Sequence, residues 1–379
     1  MQNTKIDNLI EVYKVALKDN KNYINYRSLQ WDKYYEENNK FLNEDNLVNF
    51  RKDQVLSKGL DDAMNLQNKL NLIEALDYFK SSFLRRTLPE KNIGNSNFSE
   101  NFLGYYFDYG IIHHLKWFEI VEKYFSPNTN VLEIGGGFGS LARIIIKNTN
   151  TKYFLIDLPE ANLLSNYYLK CHFPEKKIFN YEDYKKTEIN NEIDKFDIFI
   201  LPPHAMEKMK LPFSFVINTR SFMEMDLPVI NKYFDYIQKN ITDDGYFLNI
   251  NRYVETNVDG QFFATKFSKA ERRYLYEYPY DDFWKVCKSE KSFLQPQIHF
   301  LLTKRSSKKE DINIEIKKIK DDKNLYLSYS PLRIKSFLIY VKTKRLLWLI
   351  VKKILIFILG KNMIKKTAKI LYNIGVYKK

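Results

Sequence analysis

The chain has 379 residues, of which 45% are hydrophobic and 28% charged, so it can bury a sizeable core and is not an unstructured polypeptide. Its 12 glycines and 11 prolines are too few for a collagen-like or linker-like chain. The two cysteines, Cys171 and Cys287, cannot build a disulfide framework or a cysteine-rich zinc site, which indicates a reducing compartment.

The net charge of +14 lies entirely near the carboxyl end. Residues 323–379 contain 14 lysines and arginines and no acidic residue, so residues 1–322 carry no net charge. A neutral body with a basic, apolar tail favours an anionic surface as partner over nucleic acid.

The first 126 residues are expected to form a helical N-terminal region, which includes a helix over 111–125. The apolar residues between positions 9 and 17 are interrupted by Glu11 and Lys14, so no signal peptide is predicted. The expected location is therefore cytoplasmic. A segment rich in turn formers interrupts the helical pattern at 88–97.

Short β-branched or aromatic runs alternate with helical stretches in residues 127–305. The predicted strands cover 131–134, 153–156, 197–201, 215–218, 246–251 and 298–303, and the helices between them include 140–147, 161–171 and 229–240. This alternation predicts an α/β fold in which a parallel or mostly parallel sheet carries helices on both faces.

The strongest local signal is a glycine turn between the first of these strands and its helix. Gly135, Gly136, Gly137 and Gly139 follow the strand directly, and the helix begins at once. Glycine allows a tight turn and lets a ligand approach the backbone, while the start of the helix offers free N–H groups. Asp157 ends the next strand, where a carboxylate accepts hydrogen bonds from both hydroxyls of a ribose.

Two cofactors fit this pattern to different degrees. A dinucleotide fingerprint requires the register that starts at Gly137. The alternative register places Glu133 at the tip of the strand, where its charge complements the ammonium and sulfonium of S-adenosylmethionine and repels a pyrophosphate. A glycine-rich turn without a ligand is the structural alternative.

Several motifs together resemble bacterial sugar O-methyltransferases, which are class I enzymes dependent on S-adenosylmethionine. The resemblance spans about residues 45–305 and is carried by NFR at 49–51, GLDD at 59–62, residues 133–142, LIDLPE at 155–160, LPPH at 201–204, NTRSFMEM at 218–225 and GY at 245–246. It implies a Rossmann-like class I methyltransferase sheet behind the helical N-terminal region. We therefore expect methyl transfer from S-adenosylmethionine to a sugar or glycan hydroxyl in surface polysaccharide biosynthesis, and the resemblance does not imply which acceptor is used.

Polar residues follow the later strands at the same edge of the predicted sheet. Because ligands bind outside the carboxyl ends of parallel strands, Leu158, Asn218 and Ser221 are expected beside the cofactor with the glycine turn. His204 and Glu224 are the candidate general bases for the acceptor hydroxyl. Packing or loop capping is the alternative for His204, and stabilisation of a helix start is the alternative for Glu224.

Other candidates are weaker. His113, His114 and Asp226 are reserve bases, and Asp183 is either a contact to the adenine amino group or part of a solvated loop. No cluster of His, Asp and Glu has the spacing of a metal site. Since some sugar methyltransferases use a divalent cation, Mg²⁺ is left open.

The last segment, 306–379, is expected to be a basic amphipathic tail. A helix is predicted over 331–360, with five of its basic residues within one arc of roughly 100° and apolar residues over much of the remaining surface. Its apolar runs are too short to span a bilayer. Residues 331–379 are therefore expected to lie on an anionic membrane on the cytoplasmic side, with packing on protein as the alternative.

Two other functions stay open. An NAD-dependent sugar-modifying oxidoreductase requires a Tyr-x-x-x-Lys helix, and Tyr181 and Lys185 match that spacing. The second is a catalytically inactive scaffold that retains nucleotide binding. Nucleic-acid binding ranks lower because the body is neutral and the tail is strongly apolar.

Overall fold

A computed structural model describes residues 3–19, 26, 31, 40–57, 76, 78–255, 273–292, 298–310, 312, 316, 319 and 343. The α-helices are α1 (Asn3–Lys18), α2 (Glu44–Val48), α3 (Ser81–Thr87), α4 (Tyr109–Val121), α5 (Ser140–Asn148), α6 (Pro159–His172), α7 (Tyr181–Lys186), α8 (Ile189–Glu192) and α9 (Leu227–Asn240). Short 3₁₀ helices cover Lys52–Gln54, Glu122–Tyr124, Ile193–Lys195, Pro203–Glu207, Phe222–Glu224 and Leu275–Glu277.

The strands are β1 (Glu100–Phe102), β2 (Tyr105–Phe107), β3 (Asn130–Ile134), β4 (Lys152–Ile156), β5 (Ile178–Phe179), β6 (Ile198–Leu201), β7 (Phe213–Thr219), β8 (Ile241–Arg252), β9 (Val254–Glu255), β10 (Arg273–Tyr274), β11 (Trp284–Lys291) and β12 (Ile298–Arg305). Eight of them form the central sheet, in the order β11-β12-β8-β7-β3-β4-β6-β5. Six neighbouring strands pair in parallel: β8, β7, β3, β4, β6 and β5. The strand β12 is antiparallel to both β8 and β11.

The sheet is buried on both faces because its central strands are apolar at successive positions. In β3, Val131 packs with Ile145 of α5 on one face, whereas Leu132 packs with Phe234 of α9 on the other. Successive side chains of a strand point to opposite faces, so one continuous apolar run supplies two cores. Because β3 lies between β7 and β4, the glycine turn that follows it emerges near the centre of the sheet.

The strand order reverses direction at β3. The chain goes from β3 to β4 on one side, and after β6 it returns to add β7 on the other side of β3. In an open parallel sheet, such a reversal opens a crevice at the carboxyl ends of the strands. The six predicted strands are present, and the mostly parallel sheet with both faces buried confirms the predicted Rossmann-like α/β fold.

The strand β11 and the hairpin of β1 and β2 were not predicted. Trp284 is the one buried residue of β11, and the rest of this edge strand is partly or fully exposed and contains mostly polar residues. Such a strand has no apolar run that a sequence pattern can detect. Tertiary pairing with β12 therefore decides its conformation.

The N-terminal region shares a core with one face of the sheet. Phe50 and Phe83 belong to the same buried cluster as Ile145. Arg51 forms a buried ion pair with Asp108, in which Nη2 lies 2.6 Å from Oδ2. The domain boundaries at 126 and 305 stay a prediction.

The tail expected over 331–379 lies outside the described residues, apart from position 343. Within the part of the chain that the structure describes, no helix has the length and apolar character to span a bilayer.

Candidate functional site

The glycine turn joins β3 to α5 at the point where the strand order reverses. Gly135, Gly137 and Gly139 adopt positive φ angles of 72°, 57° and 86°, a region that disfavours residues with a Cβ atom. A Cβ atom on Gly135 would lie 2.0 Å from Oγ of Ser221. One on Gly136 would lie within 2.9 Å of the side chains of Leu155 and Glu133. A side chain at these positions would collide with its neighbours, so the exposed backbone of this turn requires glycine.

Asp157 lies directly beside this turn. Its Oδ2 accepts a hydrogen bond from the backbone N–H of Gly137 at 2.7 Å, and its Oδ1 accepts one from Leu158 at 2.7 Å. Burial raises the pKa of Asp157 to about 7, although both N–H groups oppose that shift. Because a carboxylate has about four lone-pair sites, two acceptor sites remain for a ligand in the cleft.

A cleft opens above the turn at the carboxyl edge of the sheet. It is lined by Tyr26, Trp31, His114, Gly135, Gly136, Gly137, Phe138, Ser140, Ile156, Asp157, Leu158, Pro203, Thr219, Arg220, Ser221, Glu224, Met225 and Tyr233. The predicted residues Gly135, Gly136, Gly137, Asp157, Leu158, Ser221 and Glu224 thus meet in one place. Gly139 is the N-cap residue of α5 and supports the turn from the side of the helix.

The loop after β7 forms the wall opposite Asp157. Arg220 adopts a φ of 62°, and its backbone N–H donates to Ile250 O at 2.7 Å. A positive φ at a non-glycine residue stores strain that the surrounding contacts must offset. The chain then enters the 3₁₀ turn that ends at Glu224. Oε2 of Glu224 accepts a hydrogen bond from Nε1 of Trp31 at 2.9 Å.

His114 completes the cleft on the side of α4. Its Nδ1 lies 3.0 Å from Oγ of Ser140, the first residue of α5. This places an imidazole at the start of the helix that follows the glycine turn. The adjacent His113 is fully buried and faces Tyr109 and Trp117 instead.

Glu133 lies beneath the turn and does not line the cleft. It is 1% exposed, and its Oε2 accepts a hydrogen bond from the hydroxyl of Tyr153 at 2.7 Å. Burial raises the pKa of Glu133 to about 7, the Tyr153 hydrogen bond opposes that shift, and the charge of Asp157 adds to it. Its role as a cofactor residue stays a prediction, since its charge could act on the cleft only through the turn.

Asn218 is also buried beneath the cleft, at the end of β7. Its Nδ2 donates to Ile134 O at 2.9 Å, and its Oδ1 accepts from the backbone N–H of Phe222 at 3.1 Å. The structure therefore places it as a support of the loop rather than on the cleft surface.

The predicted base His204 is not among the residues that line the cleft. Its neighbour Pro203 lines the cleft, whereas the His204 ring packs edge-on against Tyr184 at 5.6 Å. Burial lowers the pKa of His204, and the charge of Asp19 opposes that shift. Asp183 caps α7 together with Asn180, whose backbone N–H donates to Oδ2 of Asp183 at 3.0 Å.

The lining residues Tyr26 and Trp31 were missed by sequence reasoning, whereas His114 was already named as a reserve base. Tyr26 and Trp31 come from the N-terminal region, more than 100 residues before the glycine turn. No local pattern connects such distant segments. Arg220 follows the strand predicted over 215–218 and was expected at this edge of the sheet, where it does line the cleft.

No group of three or more His, Cys, Asp and Glu side chains in the described ranges is arranged to hold a metal ion. The residues present do fit an adenosyl cofactor. The turn is free of side chains at the point of close approach, and Asp157 keeps acceptor capacity toward the cleft.

No family model matches the chain, and no curated protein matches it. Among solved structures, it is similar to M. capricolum TrmK in complex with S-adenosyl-homocysteine (13% identity, 56% of this chain and 80% of that chain covered, TM-score 0.35). It is also similar to a SAM-dependent methyltransferase from Aquifex aeolicus (14% identity, 49% and 88% covered, TM-score 0.28). A third is the M. jannaschii tRNA m1G37 methyltransferase (16% identity, 59% and 58% covered, TM-score 0.33). The second and third are named as methyltransferases, but scores and identities this low carry no argument about activity.

Proposed function

We propose that this protein binds S-adenosylmethionine and transfers its methyl group to a sugar hydroxyl. One observation carries the proposal: the bare glycine turn, Asp157 and Glu224 converge in a single cleft where the strand order reverses. The reversal point is where open α/β sheets bind nucleotides. A carboxylate on the opposite wall adds a group that can act on an acceptor.

The cofactor side of the cleft consists of Gly135, Gly137, Asp157 and Leu158. Asp157 accepts the ribose hydroxyls with the lone pairs that Gly137 and Leu158 leave free. The start of α5 offers backbone N–H groups, which suit the carboxylate of the methionyl part. When bound, the cofactor supplies a methyl group activated for in-line displacement, so the protein mainly orients the acceptor.

The acceptor side consists of Glu224 and its neighbours. A sugar hydroxyl is a poor nucleophile until its proton is removed, and a carboxylate within hydrogen-bond reach can accept that proton. Glu224 lies on the cleft wall, whereas the other candidate base, His204, lies outside the lining. His114 also lines the cleft, with its Nδ1 3.0 Å from Oγ of Ser140 at the start of α5.

The choice of a sugar is supported by the aromatic groups beside Glu224. Trp31 and Tyr26 line the cleft, and the Trp31 indole is bonded to the Glu224 carboxylate at 2.9 Å. An aromatic face combined with hydrogen-bonding polar groups suits a sugar ring, which has apolar faces and polar edges. The sequence resemblance to sugar O-methyltransferases supports the same class, and with it a role in surface polysaccharide biosynthesis.

Calorimetric titration with S-adenosylhomocysteine tests the cofactor assignment. The wild type is expected to bind, and Asp157→Ala is expected to bind at least about tenfold more weakly, since a hydrogen bond to a charged group contributes about 1.5–3 kcal/mol. Asp194→Ala is the matched control because that carboxylate is fully exposed and lies outside the cleft lining. A folded wild type that gives no heat at millimolar ligand would remove the proposal.

Transfer of a labelled methyl group to monosaccharides and to isolated surface glycans tests the acceptor. Glu224→Gln is expected to keep cofactor affinity and to lose transfer by about 100-fold or more. His204→Ala is expected to keep transfer, because the His204 side chain does not line the cleft. Full activity of Glu224→Gln would show that the base lies elsewhere.

The two rival functions make different predictions. In the structure, Tyr181 and Lys185 contact Asp19 and neither lines the cleft, so the Tyr-x-x-x-Lys spacing gives no support to an oxidoreductase. Enhanced fluorescence of reduced nicotinamide on mixing would nevertheless favour that function. Cofactor binding without transfer to any glycan would favour an inactive scaffold.

We further propose that residues 331–379 hold the protein on the cytoplasmic face of an anionic membrane. The support is the sequence alone, in which basic residues and apolar stretches alternate and no acidic residue occurs after position 322. Removal of residues 323–379 is expected to abolish co-sedimentation with anionic liposomes and to leave cofactor binding intact. Equal sedimentation of the full-length and truncated proteins would refute this location.

A further inference from the structure

Three asparagines form a continuous hydrogen-bonded chain beneath the loop that carries Glu224. Asn218 is the penultimate residue of β7 and pairs with Asn249 of β8; Asn251 lies two positions further along β8, so its side chain points to the same face of the sheet as that of Asn249. All three are fully buried. Nδ2 of Asn251 donates to Oδ1 of Asn218 at 2.9 Å and to Oδ1 of Asn249 at 2.6 Å.

This amide chain holds the backbone of the loop by two separate contacts. Oδ1 of Asn218 accepts from the N–H of Phe222 at 3.1 Å, and Oδ1 of Asn251 accepts from the N–H of Met223 at 3.1 Å. A backbone N–H can only donate, so these contacts also fix which way each amide points. Phe222 and Met223 are the two residues directly before Glu224.

The same chain reaches the cofactor side of the cleft. Nδ2 of Asn218 donates to Ile134 O at 2.9 Å, and Ile134 is the last residue before the glycine turn. At its other end, Nδ2 of Asn249 donates to the hydroxyl of Tyr280 at 3.0 Å. A buried amide group costs free energy unless it forms hydrogen bonds. Here the asparagine side chains form these bonds with the backbone on both sides of the cleft, at Ile134 and at the loop before Glu224.

Glu224 is held from the opposite direction by Trp31, whose indole N–H donates to its carboxylate at 2.9 Å. The backbone before Glu224 is therefore held by the asparagines, and its carboxylate is held by the indole of Trp31. Methyl transfer depends on the alignment of the reacting groups. Displacement of the carboxylate by about 1 Å can therefore lower the rate on the order of 100-fold.

We propose that Asn218 and Asn251 are positioning residues, which hold the loop so that Glu224 faces the acceptor while the glycine turn faces the cofactor. The proposal rests on the proposed function, because it assigns Glu224 the role of base. Asn251 acts through the backbone of Met223, and Asn218 acts through both Phe222 and Ile134.

Trp31 provides a reporter for the position of Glu224 that needs no acceptor. The chain contains 4 tryptophans, so Trp31→Phe identifies the indole N–H signal of Trp31 in a nitrogen-15 spectrum. Glu224→Gln should move that signal, because the carboxylate is its hydrogen-bond acceptor. Asn251→Leu should move it in the same direction or broaden it, since the loop then loses one of its two supports.

Thr303→Val is the matched control. Thr303 is fully buried on β12, next to β8, and donates to Phe247 O at 3.3 Å, but it has no contact with the amide chain. Its variant should leave the Trp31 signal unchanged. An unchanged signal in folded Asn251→Leu would overturn the proposal.

Amide exchange in the wild type keeps the proposal testable if Asn251→Leu does not fold. The amide protons of Phe222 and Met223 should exchange on the order of 100-fold more slowly than those of exposed turns, because their acceptors are buried side chains. Exchange at the rate of an exposed turn would overturn the proposal. Failure to bind S-adenosylhomocysteine, with the Trp31 signal behaving as expected, would instead remove the proposed function and leave the positioning of Glu224 intact.

Discussion

Replacing Glu133 by glutamine is expected to make the protein more stable than the wild type at alkaline pH. Glu133 is 1% exposed, and burial raises its pKa from 4.5 to about 7. The hydroxyl of Tyr153 donates to the carboxylate and limits this increase, whereas the nearby charge of Asp157 enlarges it. The folded protein therefore keeps this carboxyl protonated over a pH range in which the unfolded chain ionises it.

The size of the effect follows from the two pKa values. A difference of one in pKa corresponds to about 1.36 kcal/mol, so a change from 4.5 to about 7 corresponds to roughly 3 kcal/mol. This part of the wild type's free energy of unfolding is fully present below the pKa that Glu133 has in the unfolded chain. It is lost as the pH rises through the folded pKa of about 7. Glutamine has nearly the same shape and does not ionise, so the variant avoids the loss.

Urea unfolding followed by circular dichroism, repeated between about pH 4 and pH 8.5, measures the difference. The curves of wild type and Glu133→Gln should lie close together at the acidic end and separate by roughly 3 kcal/mol at the alkaline end, with equal m-values. Glu175→Gln, in an exposed turn, controls for the loss of one carboxyl group. Parallel curves for Glu133→Gln and wild type would refute the reasoning.

Two further substitutions test the turn and the N-terminal core. Gly135→Ala should abolish binding of S-adenosylhomocysteine measured by calorimetry, because its Cβ would lie 2.0 Å from Ser221 Oγ; Gly104→Ala also has a positive φ, of 88°, but open space, and should bind normally. Asp108→Ala should lower the free energy of unfolding in urea by about 3–5 kcal/mol, because it breaks the buried ion pair with Arg51 and removes the N-cap of α4. An exposed pair is the comparison: Glu119→Ala, which breaks the contact to Lys116, should cost roughly 0.5 kcal/mol or less. Binding to Gly135→Ala as tight as to wild type, or an Asp108→Ala cost no larger than that of Glu119→Ala, would contradict these two expectations.

The elements of the cofactor side could be predicted because their signals are local. The glycine turn needs particular residues at consecutive positions, and Asp157 occupies the tip of the next apolar strand. Parallel pairing then brings both to one edge of the sheet, as the strand pattern predicts. The same argument placed Ser221 and Glu224 in the cleft.

It placed His204 and Asn218 there as well, and the structure puts both side chains elsewhere. A strand end fixes where the backbone lies but not which way the following side chain turns. His204 turns toward Tyr184, and Asn218 turns into the sheet to bond Ile134. Glu133 likewise turns beneath the glycine turn, because the alternation of β3 directs it to the buried face with Val131.

The sequence alone established the α/β alternation, the glycine turn and the position of Asp157 after the next strand. Each of these depends on residues within about 25 positions of one another. Only the folded molecule decided that Trp31 meets Glu224, which are separated by 193 positions, and that His114 meets Ser140. Contacts of this kind have no periodicity or spacing in the sequence, because they arise when separately formed elements pack against a common core.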